Sequence, residues 1–164
     1  MKPPSAMVWL ATCLTAVAAD SLRVPGESPL EFCKSNRDHD AVQIEKVDIS
    51  PNPPKPGKPL LVTFKGDIKK KIARGAYVKV VVKYGLIQLL ATTADLCEQT
   101  QNVDLSCPLE PGKIVLTKSM DMPSAIPPGV YTVLADAYTE EDENISCLKA
   151  TVNFPRPELL GEEL

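Results

Sequence analysis

Sixteen prolines distributed along 164 residues place the strongest constraint on the fold of this chain. Proline lacks a backbone N–H and breaks a helix interior, so helical bundles and coiled coils are excluded. The hydrophobic fraction of 44% and the charged fraction of 24% are those of a globular protein rather than a disordered chain. A chain of this length has room for one domain. The sequence therefore favours short strands separated by proline-rich connections.

The segment 1–19 has the layout of a secretory signal peptide. Lys2 supplies a positive start, residues 6–19 are apolar, and small residues suited to cleavage precede Asp20. The apolar stretch is shorter than the ~20 residues needed to span a bilayer. We therefore predict a signal peptide over residues 1–19 and a soluble mature chain that begins near Asp20. Its predicted location is the secretory pathway, either in a vacuolar lumen or outside the cell.

Four cysteines follow the predicted signal peptide, and four allow three pairings. Cys97 and Cys107 flank a short polar loop, whereas Cys33 and Cys147 lie near the two ends of the domain. In an oxidising compartment this arrangement favours disulfides Cys33–Cys147 and Cys97–Cys107. A zinc site built from all four thiolates is the alternative, and the absence of any CxxC spacing weighs against it.

Alternating apolar residues predict about seven strands, because a period of two is the pattern of a half-buried strand. A change of phase at Glu45–Lys46 predicts a β-bulge. The segment 20–40 is predicted to be an irregular arm, and 155–164 a flexible tail. The predicted strands are Val42–Ile49, Leu60–Phe64, Ala76–Leu90, Val103–Leu109, Gly112–Met122, Val130–Tyr138 and Ile145–Phe154.

No amphipathic helix accompanies these strands, which favours an all-β fold. Short strands separated by turns in one domain are typical of an immunoglobulin-like antiparallel β-sandwich, which we expect over residues 20–154. A small barrel is the alternative architecture. The one tryptophan, Trp9, lies in the predicted signal peptide, so the mature chain lacks the Cys…Trp…Cys core of true immunoglobulin domains.

The sequence contains no constellation typical of an enzyme. Its one histidine, His39, lies in a polar segment, and the motifs GxSxG, HExxH and GxGxxG are missing. The formal net charge of -3 argues against a nucleic-acid-binding protein that depends on bulk positive charge. We expect a monomer without catalytic residues, metal ligands or a cofactor.

A glycosylation sequon precedes the last predicted strand. Asn144, Ile145 and Ser146 form the tripeptide that accepts an N-linked glycan. The sequon follows an acidic turn, which places it at the expected tip of a hairpin. We therefore predict a surface glycan on Asn144.

Several short blocks match one known family in the same order along the chain. The blocks are Ser21–Gly26, Pro29–Leu30, Phe32–Cys33, Ile49–Pro54, Gly75–Val78, Val82–Ile87, Ala94–Gln99, Cys107–Leu109 and Ile126–Tyr131. They resemble the fungal phosphatidylglycerol/phosphatidylinositol transfer proteins, and the similarity runs from about Ser21 to Phe154. That family is one branch of the ML-type lipid-recognition domains, which also include the Niemann-Pick sterol-transfer proteins.

The resemblance implies an immunoglobulin-like sandwich whose sheets separate to enclose a lipid in an apolar cavity, and it implies the same two disulfides. It also implies transfer of phosphatidylinositol or phosphatidylglycerol between membranes, with transient contact at the membrane surface. A sterol carrier of the same fold and an interaction module with a closed core are the alternatives. Lipid transfer requires no catalytic residue, because a bilayer and an apolar cavity offer similar gains, roughly 0.8 kcal/mol per methylene.

Side chains on the inward faces of the predicted strands are the candidates for the cavity wall. They are Phe64, Val80, Val82, Tyr84, Leu116, Ile126, Tyr131 and Val133. The loop Met122–Pro128 is a candidate for an apolar rim at the entrance. The segment Ile68–Arg74, named here the basic segment, is a candidate for contact with anionic headgroups and the membrane surface. Its cations are Lys69, Lys70, Lys71 and Arg74.

Overall fold

The computed structural model describes residues 22–101 and 105–156. The predicted signal peptide and all of the predicted tail after Arg156 lie outside these ranges. The strands are β1 (Leu30–Phe32), β2 (Val42–Ser50), β3 (Pro59–Ile68), β4 (Tyr77–Tyr84), β5 (Ile87–Asp95), β6 (Gly112–Asp121), β7 (Gly129–Tyr138) and β8 (Asn144–Phe154), and helix α1 spans Leu96–Gln101. None of the helical structure in the described ranges has the length and hydropathy to cross a membrane.

The strands form two antiparallel sheets. The larger sheet has five strands in the order β1-β8-β7-β4-β5, and the smaller has three in the order β2-β3-β6. The all-β sandwich is therefore confirmed, and the barrel alternative is wrong because the sheets do not join. Strand β5 lies at an edge of the larger sheet, where eight of its nine residues are exposed.

The predicted long strand Ala76–Leu90 is wrong, because this segment is a hairpin. Strand β4 ends at Tyr84, Gly85 adopts a positive φ of 55°, and β5 begins at Ile87. Glycine has no Cβ and adopts this left-handed conformation without strain. Gly85 is visible in the sequence as an interruption of this run, but a hairpin was not predicted because apolar residues continue on both sides of it.

Three further elements differ from the prediction: one predicted strand, one helix and one short strand. Residues 105–109 of the predicted strand Val103–Leu109 are irregular, with one bridge from Leu109 to Ile72, and residues 102–104 lie outside the described ranges. The six-residue helix α1 precedes them, although no helix was predicted. The predicted irregular arm contains β1, which pairs Leu30 with Ala150 of β8.

The β-bulge and both disulfides are confirmed. The register between β2 and β3 shifts between Ile44 and Lys46. Cys33 and Cys147 are bonded with their Cα atoms 5.4 Å apart, and Cys97 and Cys107 with theirs 5.6 Å apart. These bonds use all four cysteines that follow the predicted signal peptide, so the zinc alternative is wrong.

The connections between strands lie at the two ends of the sandwich. The strand order and the antiparallel pairing determine which end each connection occupies. At the first end, named the open end, lie residues 51–58, 85–86, 122–128 and 155–156. At the opposite end lie residues 33–41, 69–76, 96–101, 105–111 and 139–143. The larger cluster of buried side chains occupies the opposite end, where Ile72 is 1% exposed beside Ala41, Ala76 and Leu109. Side chains therefore fill one end of the sandwich more completely than the other.

Candidate functional site

An apolar cavity of about 480 Å³, named the main cavity, lies between the sheets at the open end. Val82, Val133 and Ala150 are paired positions on β4, β7 and β8, so their side chains point to the same face of the larger sheet. Leu60 and Val62 of β3 form part of the facing wall. This cavity is suited to an apolar ligand.

The sheets do not close over this cavity. Val133 and Met120 both line it, yet they are 36% and 45% exposed. Core side chains in a closed sandwich interlock and lose nearly all of their exposure. These two inward-facing residues are therefore not packed against the facing sheet, and the main cavity is partly open to the surface.

The predicted wall residues are distributed over the main cavity, a second cavity, the inward face of β4 and the rim. Val82, Ile126, Tyr131 and Val133 line the main cavity. Phe64 and Leu116 line a second apolar cavity of about 270 Å³, towards the opposite end. Val80 faces inward between Thr92 and Ala135, and Tyr84 lies at the rim. Lipid contact at these positions stays a prediction, with the four in the main cavity as the best placed.

Several wall residues were missing from the sequence prediction. They are contributed mainly by β1, β2, β3, β6 and β8 and include Ile49, Leu60, Val62, Leu30, Met120, Ala150, Val152 and Phe154. The last three alternate along β8, and that period of two could have identified them. Leu30 could not be identified, because β1 has only three residues and lies in a polar segment.

Two tyrosines fix the predicted apolar rim, the loop Met122–Pro128. The Tyr84 hydroxyl donates a hydrogen bond to the Pro128 carbonyl at 3.0 Å, and the Tyr131 hydroxyl donates one to the Pro127 carbonyl at 3.1 Å. The two rings meet edge to face with centroids 5.1 Å apart. Because Ile126 of this loop lines the main cavity, the rings position part of its wall.

Gly129→Ala is expected to destabilise the protein by about 1–3 kcal/mol, the usual cost of overpacking. A Cβ atom at Gly129 would collide with the Tyr84 ring, and Gly129 has a φ of 145°. Gly112→Ala is the matched control, since Gly112 has a φ of 148° but open space around its Cβ position. Urea unfolding gives the free energy of unfolding of both variants, and the difference between them reports the effect of the collision with Tyr84. Equal destabilisation of the two would contradict this steric role.

The basic segment lies at the opposite end from the main cavity. Lys70 pairs with Glu143 at 2.9 Å, Lys71 pairs with Glu110 at 2.8 Å, and Lys69 pairs with Asp67. Three of the four cations of this segment therefore already have a carboxylate partner. Contact of this segment with lipid headgroups stays a prediction, and the distance from the open end weighs against it.

The predicted glycosylation site is partly enclosed. Asn144 Nδ2 donates a hydrogen bond to Asp136 Oδ1 at 3.2 Å, and the Tyr138 hydroxyl donates one to Asp136 Oδ2 at 2.6 Å. The hydrogen bond to the Asp136 carboxylate raises the pKa of Tyr138 to about 12. A glycan attached to Nδ2 replaces one of its two amide hydrogens, so the remaining N–H can still donate to Asp136. Glycosylation stays a prediction, which the mass change after glycosidase treatment tests.

Solved structures with related folds confirm the architecture. A Niemann-Pick type C2 protein from Japanese carpenter ant superposes with a TM-score of 0.55 at 16% identity, covering 76% of this chain and 98% of its own. Chicken MD-1 complexed with lipid IVa superposes with a TM-score of 0.54 at 18% identity, covering 78% and 93%. At these identities the comparison establishes the fold alone.

Sequence comparison gives the family. A phosphatidylglycerol/phosphatidylinositol transfer protein of Pyricularia oryzae is 53% identical over 137 residues, which are 84% of this chain and 77% of the relative. A protein of the same name from Aspergillus oryzae is 51% identical over 142 residues, 86% of this chain and 81% of the relative. The family profile described as the ML domain matches residues 27–154. The chain belongs to the ML domain family.

Proposed function

We propose that this protein binds phosphatidylinositol or phosphatidylglycerol with its acyl chains in the cavity between the sheets, and transfers the lipid between membranes. The observation that carries the proposal is the apolar cavity of about 480 Å³ that reaches the surface at the open end. The names of the Pyricularia and Aspergillus relatives, at about half identity, support the choice of lipid class.

The proposed mechanism is a physical exchange without a covalent step. Burying each acyl chain of about fifteen methylenes gains on the order of 12 kcal/mol, at roughly 0.8 kcal/mol per methylene, so a balanced exchange requires that the protein bury both chains. A bilayer offers a similar gain, so exchange between bilayer and cavity is close to neutral. The protein then acts by removing the aqueous barrier to lipid movement. Its two disulfides support a place in the secretory pathway, and we include a vacuolar or extracellular location in the proposal.

The open end has the properties of a membrane-contacting surface. The β4–β5 turn places Leu86 there with its side chain fully exposed, followed by Ile87 at 65% exposure. The connections 51–58, 85–86 and 122–128, with residues 155–156, contain three cations and no Asp or Glu. Exposed apolar side chains insert into the interface of a bilayer, and nearby cations attract anionic lipids. We include membrane contact through this end in the proposal.

Leu86→Asp/Ile87→Asp is expected to weaken binding to anionic vesicles by at least tenfold, since burying even one such side chain contributes about 1.5–3 kcal/mol and about 1.4 kcal/mol corresponds to tenfold. Leu61→Asp/Val115→Asp is the matched control, because both residues are exposed on the outer face of the smaller sheet. Vesicle co-sedimentation measures the difference. Equal binding by the two double variants would rule out the hairpin as the contact surface.

Transfer between two vesicle populations tests the proposed function directly. Donor vesicles carry labelled phosphatidylinositol, phosphatidylglycerol, phosphatidylcholine or sterol, and the protein is added at catalytic amounts. We expect faster transfer of the two anionic phospholipids than of phosphatidylcholine. Transfer of sterol alone would replace the proposed ligand, and no acceleration of any lipid would refute a carrier function.

A further inference from the structure

A second depression lies directly outside the main cavity. This depression, named the mouth groove, has a volume of about 490 Å³ and lies between the 51–58 connection and the end of β8. Pro54, Ile126 and Phe154 line both the mouth groove and the main cavity. The two spaces are therefore neighbours that share these three lining residues.

The mouth groove differs from the main cavity in its polar groups. Lys55, Ser124, Asn153 and Arg156 contribute to its lining, and no acidic residue does among those the structure describes. The Lys55 ammonium and the Arg156 guanidinium are cations, while the Ser124 hydroxyl and the Asn153 amide are hydrogen-bond donors. Four donor-bearing side chains beside an apolar cavity are suited to an anionic group attached to an apolar chain.

The two cations of the mouth groove differ in their ion pairing from the three lysines of the basic segment. Lys69, Lys70 and Lys71 each pair with a carboxylate. Within residues 22–101 and 105–156, the ion pairs include no carboxylate partner for Lys55 or Arg156. Both side chains belong to exposed residues, so they are accessible to a ligand. Lysine and arginine form charge-assisted hydrogen bonds with phosphate oxygens, and arginine can do so in bidentate geometry.

We propose that the mouth groove holds the phosphodiester of the bound glycerophospholipid between Lys55 and Arg156, while the acyl chain occupies the main cavity. This inference rests on the proposed function. It assigns headgroup selection to the open end rather than to the basic segment. An inositol or glycerol headgroup leaves the phosphate charge available to both cations, whereas the choline of phosphatidylcholine brings a third cation beside them.

The test compares Lys55→Gln/Arg156→Gln with Lys65→Gln/Lys113→Gln. Both double variants remove two positive charges, and Lys65 and Lys113 lie on β3 and β6 outside the mouth groove. Each protein is equilibrated with vesicles of equimolar phosphatidylinositol and phosphatidylcholine. The bound lipids are then extracted and quantified by mass spectrometry. The equilibrium ratio of the two lipids is independent of how fast the protein docks on the vesicles.

We expect the groove variant to lose about fivefold or more of its preference for phosphatidylinositol, because each lost cation weakens the attraction of the anionic phosphate. The control should keep the wild-type ratio, and total bound lipid should remain the same in all three proteins. An unchanged ratio in the groove variant, with lipid still bound, would overturn the inference alone. Absence of bound lipid in the wild type would instead overturn the proposed function.

A water-soluble ligand separates a lipid site from a site for free phosphate compounds. Glycerophosphoinositol carries the same phosphodiester as phosphatidylinositol but no acyl chains. We expect millimolar glycerophosphoinositol to leave the bound lipid in place, because it lacks the apolar contribution of the chains. Displacement of the lipid by this compound at micromolar concentration would contradict the inference, since the groove would then bind soluble phosphodiesters by itself.

Discussion

Ala150→Trp is expected to lower the affinity for phosphatidylinositol by about a hundredfold. Ala150 lies on β8 between Val133 of β7 and Leu30 of β1, and all three side chains line the main cavity. An indole ring at this position would fill space intended for the acyl chain. If the ring excludes about three to four methylenes of the lipid from the main cavity, the binding free energy falls by roughly 3 kcal/mol. This corresponds to two orders of magnitude in affinity.

The neighbouring position supplies the control for this substitution. Thr151 is exposed and follows Ala150 on β8, so its side chain points to the opposite face of the sheet. Thr151→Trp should therefore bind lipid as the wild type does. Binding is measured by titration with short-chain phosphatidylinositol below its micellar concentration, and thermal unfolding verifies that both variants are folded. Full affinity in folded Ala150→Trp would contradict placement of the acyl chain in the main cavity.

Removing the Cys33–Cys147 disulfide is expected to destabilise the protein more than removing the Cys97–Cys107 disulfide. The bond spans 114 residues of sequence, and the loop-entropy relation assigns about 5 kcal/mol to a loop of that size. The Cys97–Cys107 bond spans 10 residues and should contribute about 3 kcal/mol. The long bridge also joins the segment after β1 to β8, two strands that line the main cavity.

Urea unfolding of the two double alanine variants measures this difference. We expect Cys33→Ala/Cys147→Ala to unfold at a lower urea concentration than Cys97→Ala/Cys107→Ala. Loss of the short bridge should leave the lining of the main cavity in place, because α1 lies at the opposite end. A smaller loss of stability in the Cys33→Ala/Cys147→Ala variant would show that the loop-entropy account does not describe this protein.

The alternation of apolar residues identified only part of the wall of the main cavity. Strands β7 and β8 follow a period of two, and Tyr131 and Val133 line the main cavity as expected. The hairpin at Gly85 was not predicted because β5 has apolar residues on both faces. Strand β5 is an exposed edge strand that begins at the open end. Short β1 was hidden because its pairing with β8 is a long-range contact that local sequence does not encode.

The position of the loops could not be obtained from the sequence. The basic segment and the loop Met122–Pro128 were both expected at the entrance. They follow β3 and β6, which are antiparallel neighbours, so the two loops lie at opposite ends of the sandwich. Strand order, rather than the composition of either loop, decides which of them borders the main cavity. The cations Lys55 and Arg156 were missed because each is isolated among prolines in the sequence.

Native mass spectrometry of the protein purified without detergent tests the central claim most directly. We expect the main form to exceed the polypeptide mass by one phosphatidylinositol or phosphatidylglycerol, and organic extraction to recover that lipid in near-stoichiometric amount. The main cavity of about 480 Å³ would then be occupied in the isolated protein. A mass equal to that of the polypeptide alone, together with no lipid uptake from vesicles, would contradict the account of this protein as a phospholipid carrier.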